Sequence, residues 1–337
     1  MTSYEHAQAE LREPLPNNPP LAGLVRLATL AANSHNSQPW TFVLGAHSID
    51  IRPDYNRRTP VVDPDDHHLF VSLGCAAENL LIAGNALGRP AVMAFDVATQ
   101  RIAIDLANAA PRPDPLYAAI CARQSTRSVY DGRAVPVADL NKLATAARID
   151  GVSCLIITDK IQCETVLDYL IQANSSQMDN PAFITELKSW IRFNPAQALA
   201  MRDGLFTKTT GNAGVPTWLG DAMFGLMFSK SDESKKYTAQ LRSSSGIAVF
   251  IGDKADKNHW IKVGRSFQRF ALQATVLGVR HAHLNQIVEI PAVRTAFAKW
   301  LGIGDNRPDL VVRFGMAPPM PMSMRRLGSA VIARPNL

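Results

Sequence analysis

Residues 67–88, HHLFVSLGCAAENLLIAGNALG, most narrow what this chain can fold into. Apolar side chains occupy nearly every turn position of this segment rather than one stripe, and a helix of that kind must be covered on all sides. Gly88 stands where a helix closes through a left-handed residue, and Pro90 prevents continuation. His67, His68, Ser72, Glu78 and Asn79 interrupt the run, so no window holds the roughly 18 apolar residues of a membrane span, and the segment is expected as a core helix.

A second long helix is expected over NHWIKVGRSFQRFALQATVLGVR, residues 258–280, closed by Gly278. The two segments align, His67 with Asn258, Gly74 with Arg265, Ala77 with Gln268, Leu80 with Ala271, Ala83 with Ala274, Leu87 with Leu277 and Gly88 with Gly278. Such an alignment is either the trace of two similar halves or the chance likeness of two amphipathic helices.

The bulk numbers suit a globular protein. At 337 residues there is room for two domains, and 47% hydrophobic with 19% charged residues excludes a disordered or fibrous chain. The N-terminal stretch 1–20 is polar and Pro-rich and reads as an arm, without the basic-then-apolar pattern of a secretory signal, so a cytoplasmic location is expected. A net charge of +6 would suit nucleic acid, but the basic residues are scattered and do not interleave with aromatics, so no nucleic-acid or membrane partner is expected. Cys75, Cys121, Cys154 and Cys163 show no paired spacing, and the histidines lack companion ligands, so neither disulfides nor a metal is expected.

Between these landmarks, TFVLGAHSIDIRPD and AVMAFDVATQRIAIDLA each read as a hairpin, and PRPDP at 111–115 as a boundary. LYAAICARQSTRS opens a helix, and a further helix follows Pro136. GVSCLIITD, GIAVFIGD and PDLVVRFGM read as strands, the first two as buried ones. About ninety residues of mostly helical sequence separate the first two of these strands.

Two polar clusters could carry chemistry. In AANSHNSQPWTF, residues 31–42, Asn33, Ser34, His35 and Asn36 follow an apolar helix and precede Pro39 and Trp40. Such side chains either cap the backbone of a helix-to-strand turn or read the polar edge of a planar heterocycle. In ARQSTR, Arg123, Ser125 and Arg127 alternate. Two guanidiniums around a hydroxyl suit a phosphate and a polyol, provided the helix has ended and the three share one side.

RQSTR followed by YDGRAVP resembles the Arg-x-Ser-x-Arg motif of nitroreductase-family flavoproteins, and ANSHNSQPWTF resembles that family's Pro-Ser-x-x-Asn-x-Gln-Pro-Trp segment. The order is inverted, because the family's Arg-x-Ser-x-Arg comes first. Family members are intertwined homodimers whose FMN sites draw one motif from each subunit, so the inversion implies a fused pseudo-dimer similar to the Acg-like twin-domain branch. The resemblance implies an α+β fold of two similar α/β halves with mostly antiparallel sheets flanked by helices. The halves would span 21–112 and 113–337, after the arm at 1–20, with a helical insertion at about 185–245.

One FMN per monomeric chain is implied, held by Arg123, Ser125 and Arg127, by Asn33, Ser34, His35 and Asn36, by His283, Leu284, Asn285 and Gln286 of LGVRHAHLNQI, and by Arg325 and Arg326 of PMSMRRLG. Ala32-Asn33 stands where the family has Pro-Ser, and Asn285-Gln286 where it has Glu-Gly. The function implied is transfer of electrons from NAD(P)H to a nitroaromatic, quinone or similar small-molecule acceptor, with no dedicated acid–base pair expected. An alternative is a flavin-holding protein closed to nicotinamide, its lid formed by the insertion with Trp190, Met201, Trp218, Met223, Phe224 and Met227, which could equally be core packing.

Overall fold

The computed structural model describes residues 2–227 and 229–333, with the side chains of Leu226 and Met227 outside the described residues. The chain opens with helix α1 (Ser3–Leu11), started by a Thr2/Glu5 capping box, and α2 (Leu21–Thr29). Strands β1 (Trp40–Leu44) and β2 (Ser48–Pro53) pair antiparallel, with Phe42 opposite Ile51 and Leu44 opposite Ile49. The core helix α3 (His67–Ala86) leads into a second antiparallel pair, β3 (Ala91–Asp96) and β4 (Arg101–Leu106), and the four strands form one sheet in the order β1-β2-β4-β3. Alternation puts Ile49, Ile51, Ile102 and Ile104 on the face that packs in the core.

The later part contains α4 (Pro115–Ala122), α5 (Val137–Ala146), β5 (Val152–Ile157) and α6 (Lys160–Met178). Next come α7 (Pro181–Trp190), the short pair β6 (Ile191–Arg192) and β7 (Leu205–Phe206) around α8 (Pro195–Met201), then α9 (Thr217–Met227) and α10 (Lys230–Arg242). The chain continues through β8 (Gly246–Gly252), α11 (Lys257–Val276), β9 (Arg280–His283), α12 (Gln286–Glu289), α13 (Pro291–Leu301), β10 (Pro308–Gly315) and α14 (Gly328–Val331). A second four-stranded antiparallel sheet has the order β5-β8-β10-β9. The architecture is α+β.

Helices α3 and α11 cross at two glycines. A Cβ on Gly74 would lie 2.0 Å from the Ile261 carbonyl oxygen, and one on Gly264 would lie 2.0 Å from that of Val71. The backbones therefore touch, which only residues without a side chain permit. Around the crossing, Glu78 of α3 takes Arg265 at 2.7 Å and Arg269 at 2.9 Å. Asn79 donates to the Leu27 carbonyl of α2 (3.0 Å) and accepts from Gln268 of α11 (2.7 Å), while Gln268 accepts from the Ala32 amide (3.3 Å). The crossing is thus tied directly to the start of the polar stretch after α2.

Several expectations need correction. Both helices have 20 residues, and position n of α3 corresponds to n+190 in α11. Gly74 therefore matches Gly264 rather than Arg265, and only the Leu87/Leu277 and Gly88/Gly278 pairs keep the register expected from sequence. Side-chain likeness misled the alignment by one position where backbone approach was decisive. Helix α3 does have the length and apolar composition of a membrane span, despite its polar interruptions, but 94% of that window is buried inside the protein. The N-terminal stretch is no loose arm: Tyr4, Ala7 and Leu11 close a small apolar cluster with Ala198, Phe206 and Met324, partners too distant in sequence to be anticipated. Strand β5 lies at a sheet edge and is only half covered, Leu155 being 36% exposed.

Gly74→Ala or Gly264→Ala should cost roughly 3 kcal/mol or prevent folding, because backbone cannot yield as a side chain does. Gly225→Ala, in open space within α9, should leave stability unchanged or raise it by less than about 1 kcal/mol. Equilibrium urea unfolding compares the three, and equal behaviour would contradict the crossing as the tightest contact of the fold.

Candidate functional site

After α2 the chain reaches β1 through a turn in which three non-glycine residues, His35, Asn36 and Gln38, have φ near +50°. Each such residue costs on the order of 1 kcal/mol, so neighbours must hold it there. The polar side chains do this. Asn33 accepts from the Gln38 amide at 2.9 Å and donates to the Ala31 carbonyl at 3.2 Å. Asn36 donates to the Gly204 and Met324 carbonyls (3.0 and 3.2 Å) and accepts from Arg325 at 2.8 Å. Gln38 donates to the Arg202 carbonyl at 2.9 Å, and Trp40 is fully buried. The Ser34 hydroxyl lies 3.0 Å from His35 Nδ1.

Helix α4 ends at Ala122, and Arg123 is already extended. With a repeat of two, Arg123, Ser125 and Arg127 face one way. Ser125 forms a parallel bridge with His281, and the Thr126 amide donates to the His281 carbonyl at 2.8 Å, so this segment runs beside β9. From β10, Arg313 holds the segment's end by donating to the Ser128 carbonyl at 2.8 Å while lying 4.0 Å over the Tyr130 ring.

Two adjoining cavities result. The smaller, about 50 Å³, is lined by Arg12, Asn33, Asn36, Arg123, Ser125, Arg127 and Arg325 among others. Within it Arg123 donates only to the Leu30 carbonyl (3.0 Å), leaving its Nε and Nη1 without partners, and Arg12 Nε is likewise unpaired. Arg325 donates to the carbonyls of Thr29 (2.7 Å) and Ala31 (3.3 Å) as well as to Asn36. Among the described residues no carboxylate pairs with Arg12, Arg123 or Arg325. Burial, and then their mutual repulsion, pull the Arg123 guanidinium down to about 10 and Arg325 well below its ordinary value, while burial brings Arg12 to about 10. Arg12 and Arg123 remain charged at neutral pH. Unpaired buried cations cost several kcal/mol each, an arrangement that an anion would relieve.

The larger cavity, about 220 Å³, shares Ala32, Asn33, Arg127 and Leu205 with the smaller. Ser34, His35, His283, Asn285 and Gln286 line it, as do His68, Ser72, Phe267, Tyr237 and Glu289. His283 packs on Phe267 with ring centroids 4.6 Å apart. Burial, with Arg127 nearby, lowers His35 to about 4 and His283 to about 3, so both are neutral at pH 7.

Eleven of the residues proposed from sequence therefore line the two cavities. Leu284 and Arg326 do not. Leu284 is buried in the apolar cluster with Phe297, and its amide donates to the Val311 carbonyl at 2.7 Å, because alternation in the strand turns it opposite to His283. Arg326 lies outside, donating to the Gln38 carbonyl (3.2 Å) and facing Asp54 (3.5 Å), so it braces the turn. The insertion supplies much of the larger cavity's wall, including Leu187, Ile191, Leu205, Thr207, Lys236 and Tyr237. Of the apolar residues singled out there, Trp190, Met201, Trp218, Met223 and Phe224 line neither cavity, Trp218 being 72% exposed and Phe224 buried against Phe193; the side chain of Met227 lies outside the described residues. Arg12, His68 and Glu289 were missed, and only the first carried a sequence signal, as an arginine closing a short amphipathic helix.

No protein-family model matches the chain. Two relatives from Mycobacterium tuberculosis, strains CDC 1551 / Oshkosh and ATCC 25618 / H37Rv, both named "Putative NAD(P)H nitroreductase", are 27% identical over 334 residues, covering 93% of this chain and 91% of theirs. The chain is similar to these two proteins over nearly its whole length. Among solved structures, a nitroreductase with bound FMN from Bacteroides fragilis matches with 14% identity and TM-score 0.40, over 66% of this chain and 100% of its own. The FMN-dependent nitroreductase NfnB from Mycobacterium smegmatis, in complex with NADPH, matches with 11% identity and TM-score 0.40, over 60% and 87%.

In this chain, burial keeps His35, His67, His68, His281 and His283 neutral, below the ordinary imidazole value. The stability they contribute is full above about pH 6.5 and is lost as pH falls towards their folded values, because the unfolded chain takes up the protons. Asp63, Glu289 and Asp309, raised by burial to about 7, act in the opposite sense, losing stability as pH rises through 7. Imidazoles outnumber these carboxyls, so the melting temperature should fall between pH 6.5 and about 4. A flat melting profile over that range, read by circular dichroism, would contradict neutral buried histidines.

Proposed function

We propose that this chain is an FMN-dependent oxidoreductase that passes electrons from NAD(P)H to a small acceptor such as a nitroaromatic or quinone. The observation that carries the reading is the group of three guanidiniums, buried Arg123 and Arg325 with half-buried Arg12, without a carboxylate among the described residues, at the end of a longer cavity. Their unpaired Nε and Nη1 donors suit the oxygens of a phosphate dianion, since guanidinium–phosphate hydrogen bonds are charge-assisted and short. Ser125, whose hydroxyl makes no hydrogen bond among the described residues, and Asn33 stand along the path a ribityl chain would take. Arg127, common to both cavities, suits the polar edge of the ring system, and His35, His283 and Phe267 supply flat neighbours. The relatives' printed names, which specify NAD(P)H nitroreductases, agree with this reading.

FMN, when bound, would supply hydride acceptance and donation; the chain's own residues bind, orient and exclude water. Neutral His35 and His283 add no charge beside the ring system, while Arg127 places a positive charge where electron density increases on reduction. We propose further that residues 21–112 and 113–337 act as two halves of a fused pseudo-dimer, consistent with the Gly74/Gly264 crossing and a sheet on each side.

A second reading is favoured by the share of the larger cavity's wall that comes from residues 185–245: the insertion covers the site and shuts nicotinamide out, making the chain a flavin-holding protein. Purified protein decides between the two. Anaerobic bleaching of a yellow protein by NADH or NADPH supports the oxidoreductase, and bleaching by dithionite alone supports the covered flavin. A colourless protein that takes up no added FMN sinks both.

Arg123→Met should weaken FMN binding about 10- to 100-fold, the worth of one or two charge-assisted hydrogen bonds, and leave riboflavin binding unchanged. The apoprotein should melt no lower than wild type, since an unpaired buried charge has been removed. Fluorescence titration with each flavin checks this, and equal losses for both would remove phosphate from the smaller cavity.

A further inference from the structure

Glu289, at the end of α12, has no role in the scheme above. It stands one helical turn after Gln286, and both line the larger cavity. Its side chain is 11% exposed, and it borders that cavity beside His68. One carboxyl oxygen accepts from Gln177 Nε2 at 2.6 Å, and the other lies 3.5 Å from His68 Nε2. Arg294, the nearest arginine of the adjoining helix α13, is turned away to donate to the Val288 carbonyl at 2.8 Å.

Asp63 and Glu186 of α7 act on Glu289, and its cavity wall also holds His68 of α3 (next to His67), His35, His283, Arg127, and Tyr237 with the Lys236–Glu233 pair of α10. His67 is engaged by Asp309 at 2.8 Å, and Lys236 by Glu233 at 3.3 Å. Among the described residues no lysine or arginine pairs with Glu289, although Arg127 lines the same cavity. Burial, reinforced by Asp63 and Glu186, raises its carboxyl to about 7, and burial keeps His68 neutral. A carboxyl that keeps its proton to neutral pH, on the wall of a binding cavity and without a structural counter-ion, is placed for proton transfer.

We propose that the Glu289 carboxyl, positioned by Gln177 and His68, donates the proton that a quinone-type acceptor needs when it is reduced in the larger cavity. The inference rests on the oxidoreductase reading. The balance is a quinone plus NAD(P)H plus one proton giving a hydroquinone plus NAD(P)⁺. The hydride equivalent originates on the nicotinamide, leaving the acceptor as a monoanion. The Glu289 O–H bond then breaks as the acceptor's second O–H forms, and the carboxylate, still held by Gln177, regains its proton from water. Acceptors that take up protons with electrons are accordingly the class this wall favours.

The test uses the full chain with FMN, reduced by dithionite and mixed anaerobically with either benzoquinone or ferricyanide, the latter taking electrons without a proton. In wild type, quinone reduction should slow as pH rises through about 7, while ferricyanide reduction should not. Glu289→Gln, which keeps an acceptor for Gln177, should slow quinone reduction about 100-fold and flatten that pH dependence, with ferricyanide reduction and FMN binding unchanged. Glu289→Asp should recover part of the rate and the pH dependence, and serves alone should the glutamine variant not fold.

A readout independent of turnover is the infrared band of a protonated carboxyl. Beside the bands expected of Asp63 and Asp309, the apoprotein should show one that titrates near pH 7 and is isolated by subtracting the Glu289→Gln spectrum from that of wild type. Equal slowing of both acceptors, or a quinone rate that keeps its pH dependence in Glu289→Gln, overturns the proton-donor role. Protein that binds FMN and is reduced by NAD(P)H while showing those results loses only this inference. Protein that is never reduced by NAD(P)H loses the oxidoreductase reading instead.

Discussion

The contact between α3 and α11 at Gly74 and Gly264 sets the geometry on which the remaining structure depends. Backbone-to-backbone approach leaves no slack for sliding, so Glu78, Asn79, Arg265, Gln268 and Arg269 meet in one register. Asn79 and Gln268 then fix the Leu27 carbonyl and the Ala32 amide, where α2 gives way to the polar turn. A cavity wall built on such a turn is only as well placed as its last anchored residue, and here that anchor reaches into the most tightly packed part of the molecule.

Electrostatics pull the other way from packing. The core is built to satisfy polar groups, yet Arg12, Arg123 and Arg325 come together without a carboxylate, and Arg123 keeps two donors unused. Proteins retain such an uncompensated arrangement where a ligand supplies the missing charge. The carboxyl of Glu289 is the converse case, an acid whose burial and acidic neighbours favour its neutral form. Arg12, Arg123 and Arg325 line the smaller cavity and Glu289 the larger, with Arg127 common to both.

Much of the site was legible in sequence because it consists of short contiguous patterns. The alternation of Arg123, Ser125 and Arg127 requires only that the helix end at Ala122, which it does. The turn at 33–38 was legible in composition but not in detail: its asparagines are largely engaged in holding left-handed backbone, and only tertiary partners such as Gly204 and Met324 reveal this. Leu284 and Arg326 were misplaced for the same reason, since neighbours of a motif share its sequence position but not its direction. Arg12, His68 and Glu289 had no local signal strong enough to group them, being separated by 56 to 277 positions along the chain.

By itself the sequence determined where helices stop, which strands pair as hairpins, and that residues 67–88 had to be covered on every side, because those follow from glycine, proline and the spacing of apolar side chains over a few turns. The tertiary structure alone decided which glycine meets which backbone, that the N-terminal helix delivers Arg12 to the smaller cavity, and that Glu289 meets His68. Those outcomes depend on non-local contacts, whose energies are set by burial and distance in space rather than by neighbours along the chain.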